Sequence, residues 1–120
     1  MQLDIKEQSL ILEGKKYSRK ELMSLSANAT GDNTSSFLLD LYRFLADWFS
    51  DSPFMTVHTS GSTGTPKVLT VRKEQMMQSA RMTCEFLNLH TGDTALLCMP
   101  LQYIAGKMMV VRALVAGLNL

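Results

Sequence analysis

The 120-residue chain is 46% apolar and 19% charged with a net charge of +1, which suits one globular α/β-sized domain and excludes a disordered, highly charged tail. No basic block calls for nucleic acid, and the longest apolar run, residues 108–118, is interrupted by Arg112 and too short to span a bilayer. The first six residues lack the apolar core of a secretory signal, so the expected compartment is the cytoplasm.

In chain order, residues 3–5 and 9–12 are short strand candidates, and Glu13-Gly14-Lys15-Lys16 reads as a turn. Ser18 followed by Glu21 fits a capping box, opening a helix to about residue 27. The polar stretch 28–36 is a surface loop. Ser35 or Ser36 then caps a helix over 37–49. Its Phe37, Leu38, Leu41, Leu45, Trp48 and Phe49 share one face and its Asp40, Arg43 and Asp47 the other, as in a helix covering a sheet. Trp48 and the phenylalanines read as core, not as a base-stacking platform. A helix over 73–89 follows, with Met76, Met77, Ala80, Cys84 and Leu87 at helical spacing and Gly92 as its stop.

Residues 94–99, TALLCM, form a continuous apolar run, as in a strand covered on both faces. A helix near 107–116 stops at Gly117, and Leu118-Asn119-Leu120 looks like the start of another strand. The strand–helix alternation predicts an α/β fold with more sheet to come, so the chain reads as a single incomplete domain. An open sheet edge of that kind is a place for a second copy to pair, giving a homo-oligomer. Cys84 and Cys98 read as free core thiols, and His58 and His90 have no metal-ligand spacing.

Residues 56–71 read TVHTSGSTGTPKVLTV, a polar glycine loop between two β-branched strands. Gly61 and Gly64 let the backbone come close to a ligand. Successive N–H groups and hydroxyls suit an anion such as phosphate, and Lys67 adds a point charge. The ordinary P-loop is excluded: counted from Gly61 its second glycine would fall at Pro66, and Val68, not Ser or Thr, follows Lys67. The G-x-S-x-G elbow fails as well.

The segment Thr59-Ser60-Gly61-Ser62-Thr63-Gly64-Thr65-Pro66-Lys67 closely resembles the signature loop of the acyl-adenylate-forming (AMP-binding) enzymes. A second segment in the same order, Pro100-Leu101 with Gly106, resembles the family's P-L-x-H-x-x-G, with Tyr103 at the usual histidine or aromatic position. The resemblance covers residues 55–117. It implies a mixed sheet flanked by helices, with the phosphate loop on a hairpin. It further implies an enzyme that, when complete, joins a carboxylic acid to coenzyme A through an acyl-AMP.

On this resemblance Thr59, Ser60, Gly61, Ser62, Thr63, Gly64 and Lys67 hold the ATP phosphates, and Tyr103 and Gly106 border the acid pocket. The magnesium ligand, the ribose aspartate and the catalytic lysine of the family are expected outside this chain, so no catalytic residue is assigned within it and no turnover is expected of it alone. The short stretch ahead of the loop is similar to that of the o-succinylbenzoate–CoA ligases of menaquinone synthesis. Thr91-Gly92-Asp93 spells the family's ribose tripeptide at the wrong place, and reads as a helix stop. The alternative reading is a non-catalytic nucleotide- or anion-binding α/β module.

Overall fold

In the computed structural model, which describes residues 1–32, 34–59, 67–97 and 100–120, the first sheet is made by a tight turn. Glu13 and Gly14 both take left-handed backbone angles, φ 50° and 82°, the geometry of a two-residue hairpin. They join β1 (Ser9–Leu12) to β2 (Lys15–Ser18) with Leu12 opposite Lys15. The turn is thus shorter than expected, and Lys15 and Lys16 already belong to a strand. Ahead of it, residues 3–5 are not a strand. Asp4 accepts the Lys6 N–H at 3.1 Å, and this local bond draws the backbone into a 3-10 turn over Ile5–Glu7.

The capping box forms as the sequence predicts. Ser18 Oγ accepts the Glu21 N–H and Glu21 returns to the Ser18 N–H, opening α1 (Arg19–Asn28). Ser35 caps α2 (Ser36–Trp48). The buried stripe of α2 is Leu41, Phe44, Leu45 and Trp48. Phe37 is 45% exposed and is therefore not on the core face, whereas Phe44, at i+3 from Leu41, is. Helices α1 and α2 pack together. Trp48 is fully buried, stacks on Phe44 at 6.0 Å, and donates its indole N–H to Gln8 Oε1 at 2.8 Å. Gln8 is itself buried and donates its amide to the Gln2 carbonyl at 3.0 Å.

The second sheet is the hairpin of β3 (Phe54–Thr59) and β4 (Lys67–Arg72), and α3 (Lys73–Phe86) follows without a break. Met76, Met77, Ala80 and Cys84 are buried as expected, but Leu87 is 57% exposed. The helix ends at Phe86, and Asn88, with φ 55°, makes the left-handed turn assigned to Gly92. Gly92 lies in a separate turn, donating its N–H to the Gly117 carbonyl at 2.8 Å. Burial pushes the Cys84 thiol pKa up, with Arg112 pulling the other way, as suits a core thiol.

Helix α4 (Ile104–Ala116) begins three residues earlier than predicted and stops at Gly117, whose φ of 71° is left-handed. It is buried on nearly every side, packs on α3, and touches β1 and β3. Asn119 then bridges in parallel to Ile11 on one side and to Thr94 on the other. With the antiparallel β1–β2 pair, this gives the mixed order β2, β1, Asn119, Thr94. Of the expected strand 94–99, the described residues form a bridge at Thr94. Residues 95–97 are not strand, and Leu96 is 77% exposed because nothing covers its outer side among the described residues. Cys98 and Met99 lie outside those residues. Among them, no helix is long and apolar enough to cross a membrane.

Lys73 is the buried cation of the fold, at 2% exposure. In the first turn of α3 a positive charge is unfavourable for that helix's own dipole. Its ammonium instead reaches the C-terminal end of α2, donating to the Asp47 carbonyl at 2.8 Å and to the Ser50 carbonyl and hydroxyl at 3.1 and 3.2 Å. Burial holds its pKa below the usual lysine value, while Asp47 and Asp51 pull it back up. Lys73→Met will lower the stability of the chain by about 2 kcal/mol, because the charged hydrogen bonds from its ammonium to the Asp47 and Ser50 carbonyls and the Ser50 hydroxyl are lost. The urea midpoint of the variant measures this.

Candidate functional site

β3 and β4 pair antiparallel over their whole length, from Phe54 opposite Arg72 to Thr59 opposite Lys67. Alternation fixes how the hairpin sits. Met55 and Val57 turn into the core, and Phe54 and Thr56 face outward. Its base is pinned. The Lys73 N–H donates to the Pro53 carbonyl at 2.9 Å, and the Lys73 ammonium holds the end of α2. β4 is exposed along most of its length, with Val68 at 63% and Leu69 at 43%. Five residue steps along the strands separate Phe54 and Arg72, at the pinned end, from Thr59 and Lys67, about 17 Å away.

That connection, residues 60–66, carries most of the predicted phosphate site. Ser60, Gly61, Ser62, Thr63 and Gly64 lie outside the described residues. The hairpin places Thr59 and Lys67 directly opposite each other, bracketing the connection, and Lys67 is exposed. A seven-residue connection closed by a paired threonine and lysine is longer than hairpins ordinarily use.

Tyr103 and Gly106 are on α4. Tyr103 is the N-cap residue, half-buried, with extended backbone at φ −102° and ψ 155°; Gly106 is buried in the first turn. Because α4 packs against β3, both residues belong to the helix that lies along the strand leading into the connection. The larger grooves lie elsewhere. One of about 450 Å³ sits at the pinned end of the hairpin beside Phe49, Pro53 and Arg72. Another of about 480 Å³ lies between Tyr17, Phe37, Tyr42 and Leu96. Neither is lined by Lys67 or Tyr103.

Thr91-Gly92-Asp93 has a structural task. Thr91 Oγ1 donates to the Ala116 carbonyl at 3.2 Å, Asp93 Oδ2 accepts the His90 N–H at 2.7 Å, and the Asp93 carbonyl accepts the Asn119 N–H at 2.8 Å. These bonds fasten the turn to the end of α4. Among the described residues, no group of three or more His, Cys, Asp or Glu side chains could hold a metal ion. Sequence reasoning missed Lys107. It follows Gly106 directly, and its ammonium donates to the Leu101 carbonyl. A lone lysine beside a glycine in a helical first turn gives no signal of such a contact.

The family model for AMP-binding enzymes matches residues 3–120. The 2-succinylbenzoate–CoA ligase of Enterococcus faecalis is 39% identical over 64 residues, which is 53% of this chain and 13% of that protein. A crystal structure from Dyadobacter fermentans, described as an acyl-CoA synthetase (AMP-forming)/AMP-acid ligase II-like protein, superposes with a TM-score of 0.67 at 35% identity, covering 80% of this chain and 27% of the other. The chain thus spans only a small part of the length of either relative.

Proposed function

The chain belongs to the AMP-binding enzyme family, and from that premise we propose that it is the N-terminal, ATP-phosphate-binding part of an AMP-forming acid–CoA ligase whose acid is o-succinylbenzoate. The observation that carries this reading is the hairpin. A T-S-G-S-T-G-x-P-K segment is bracketed by the Thr59–Lys67 pair on two strands whose other end is pinned to the core. The acid is named from the 39% identity to a 2-succinylbenzoate–CoA ligase and from the short stretch ahead of the loop.

In the proposed reaction the carboxylate oxygen attacks the α-phosphorus of ATP. The bond to the bridging oxygen breaks, pyrophosphate leaves, and an acyl-AMP remains. The thiol of coenzyme A then adds to the acyl carbonyl, AMP departs with the bonding pair, and the thiol proton passes to solvent. Negative charge shifts onto the β- and γ-phosphates in the first step, so donors fixed in place beforehand lower its barrier. Thr59, Ser60, Ser62 and Thr63 supply hydroxyl or backbone donors, Gly61 and Gly64 allow close approach, and Lys67 offsets the charge. Tyr103 and Gly106 border the acid.

Magnesium would share the phosphate charge when bound. In this reading its ligand, like the family's ribose aspartate and catalytic lysine, belongs to the rest of the enzyme, as the resemblance implies. The 120 residues are in this reading one incomplete domain of a cytoplasmic enzyme.

Carboxylate-dependent ATP–pyrophosphate exchange, run on the product of the whole reading frame with o-succinylbenzoate in a panel of acids, tests the proposal. Exchange with that acid alone supports it in full. Exchange with a different acid keeps the ligase and removes the named substrate. A folded product that binds ATP and exchanges with no acid overturns the ligase in favour of a nucleotide-binding module.

A further inference from the structure

The N-cap of α4 lacks the side-chain hydrogen bond that usually secures a first helical turn, because Tyr103 occupies it. Lys107 of α4 adds a tie of a different kind. The Lys107 N–H donates to the Tyr103 carbonyl at 3.2 Å, and the Lys107 ammonium donates to the Leu101 carbonyl. The Tyr103 N–H closes the turn on the Pro100 carbonyl at 3.2 Å. Tyr103 is therefore held between a turn and a helix, and the Lys107 ammonium ties one to the other.

A pinned lysine loses rotamer freedom that an exposed one keeps, and packing alone would be served as well by methionine. Burial holds the Lys107 pKa below the usual lysine value, and Asp47 and Asp40 of α2 pull it back up, so the cation sits in a setting with its counter-charges already in place. We propose that Lys107 is a positioning residue for acid binding: by clamping residues 100–103 onto α4 it sets where the Tyr103 ring stands. This rests on the reading of Tyr103 as a wall of the acid pocket.

In the whole enzyme, Lys107→Met is expected to raise KM for o-succinylbenzoate, or for whichever acid of the panel supports exchange, about tenfold, the scale of one charged hydrogen bond. The KM for ATP and the saturated exchange rate stay within about twofold, because the glycine loop is untouched. Lys107→Arg, which still presents donors to the Leu101 carbonyl, recovers most of the loss. Amide hydrogen exchange provides a readout independent of any acid: peptides within 100–107 lose protection in Lys107→Met while those within 9–18 and 54–59 do not.

Unchanged protection in 100–107 overturns the proposal whatever the acid. An unchanged acid KM in Lys107→Met, with Tyr103→Ala raising it, also overturns it and leaves the pocket reading standing. An unchanged KM in both variants removes the pocket reading and the positioning role together.

Discussion

Lys67→Ala in the complete enzyme will slow ATP–pyrophosphate exchange by roughly a hundredfold, the usual cost of deleting one preorganised charged donor at a phosphoryl centre. The same substitution will leave thermal stability within about 2 °C, since surface changes away from packed or paired features alter stability by ~0.5 kcal/mol or less. Lys67 is exposed and opens β4, and its contribution to the hairpin is the backbone pairing with Thr59, which alanine keeps. The separation of the two effects is the content of the prediction. Lys67→Arg keeps the charge but replaces a compact ammonium with a planar fork, so it recovers part of the rate only. Exchange at the wild-type rate in Lys67→Ala would remove the residue from the phosphate site. A loss of rate matched by a loss of fold would make it a structural residue.

Trp48→Ala will lower stability by about 4–5 kcal/mol, because it combines a large cavity with an orphaned acceptor. The side chain is fully buried, stacks on Phe44 and satisfies Gln8 Oε1. A domain of ordinary stability, about 5–15 kcal/mol, loses a third or more of its margin in that step. Smaller variants separate the two causes. Trp48→Phe keeps most of the volume and strands the Gln8 carbonyl, at a cost of about 1–3 kcal/mol. Adding Gln8→Leu to Trp48→Phe removes the stranded acceptor and will recover stability, an outcome that a pure cavity effect does not allow. Chemical denaturation of the three variants measures all of these values.

Much of the architecture was legible because local signals agreed with tertiary ones. The Ser18–Glu21 box, the stripe of α2, the stop at Gly117 and both strands of the glycine-loop hairpin each carried their own chemistry. The misreadings share a cause. Phe37 and Leu87 continue a helical period past the point where a neighbour exists to bury them, so the pattern runs on and the packing does not. The apolar run 94–99 looks like a doubly covered strand, but covering depends on which elements lie beside it, and only Asn119 pairs with Thr94. Of the candidate site, the phosphate motif and the Tyr103 segment were visible as spacing. Lys73 and Lys107 were not, because each bonds to backbone carbonyls, which have no sequence.

The parallel bridge between Ile11 and Asn119 also orders events in time. During translation β1 and β2 emerge together and close through Glu13 and Gly14, since their partners are adjacent in the chain. The other edge of β1 must wait for Asn119, and the Gln2 N–H for the Val115 carbonyl. At synthesis rates of about 5–20 residues per second the delay is roughly 5–20 s, long compared with hairpin closure in about 1–10 μs. Throughout that interval the nascent chain presents an apolar strand edge at the ribosome. Chaperone demand in the cell should therefore track how slowly the last turns of α4 and Asn119 are delivered.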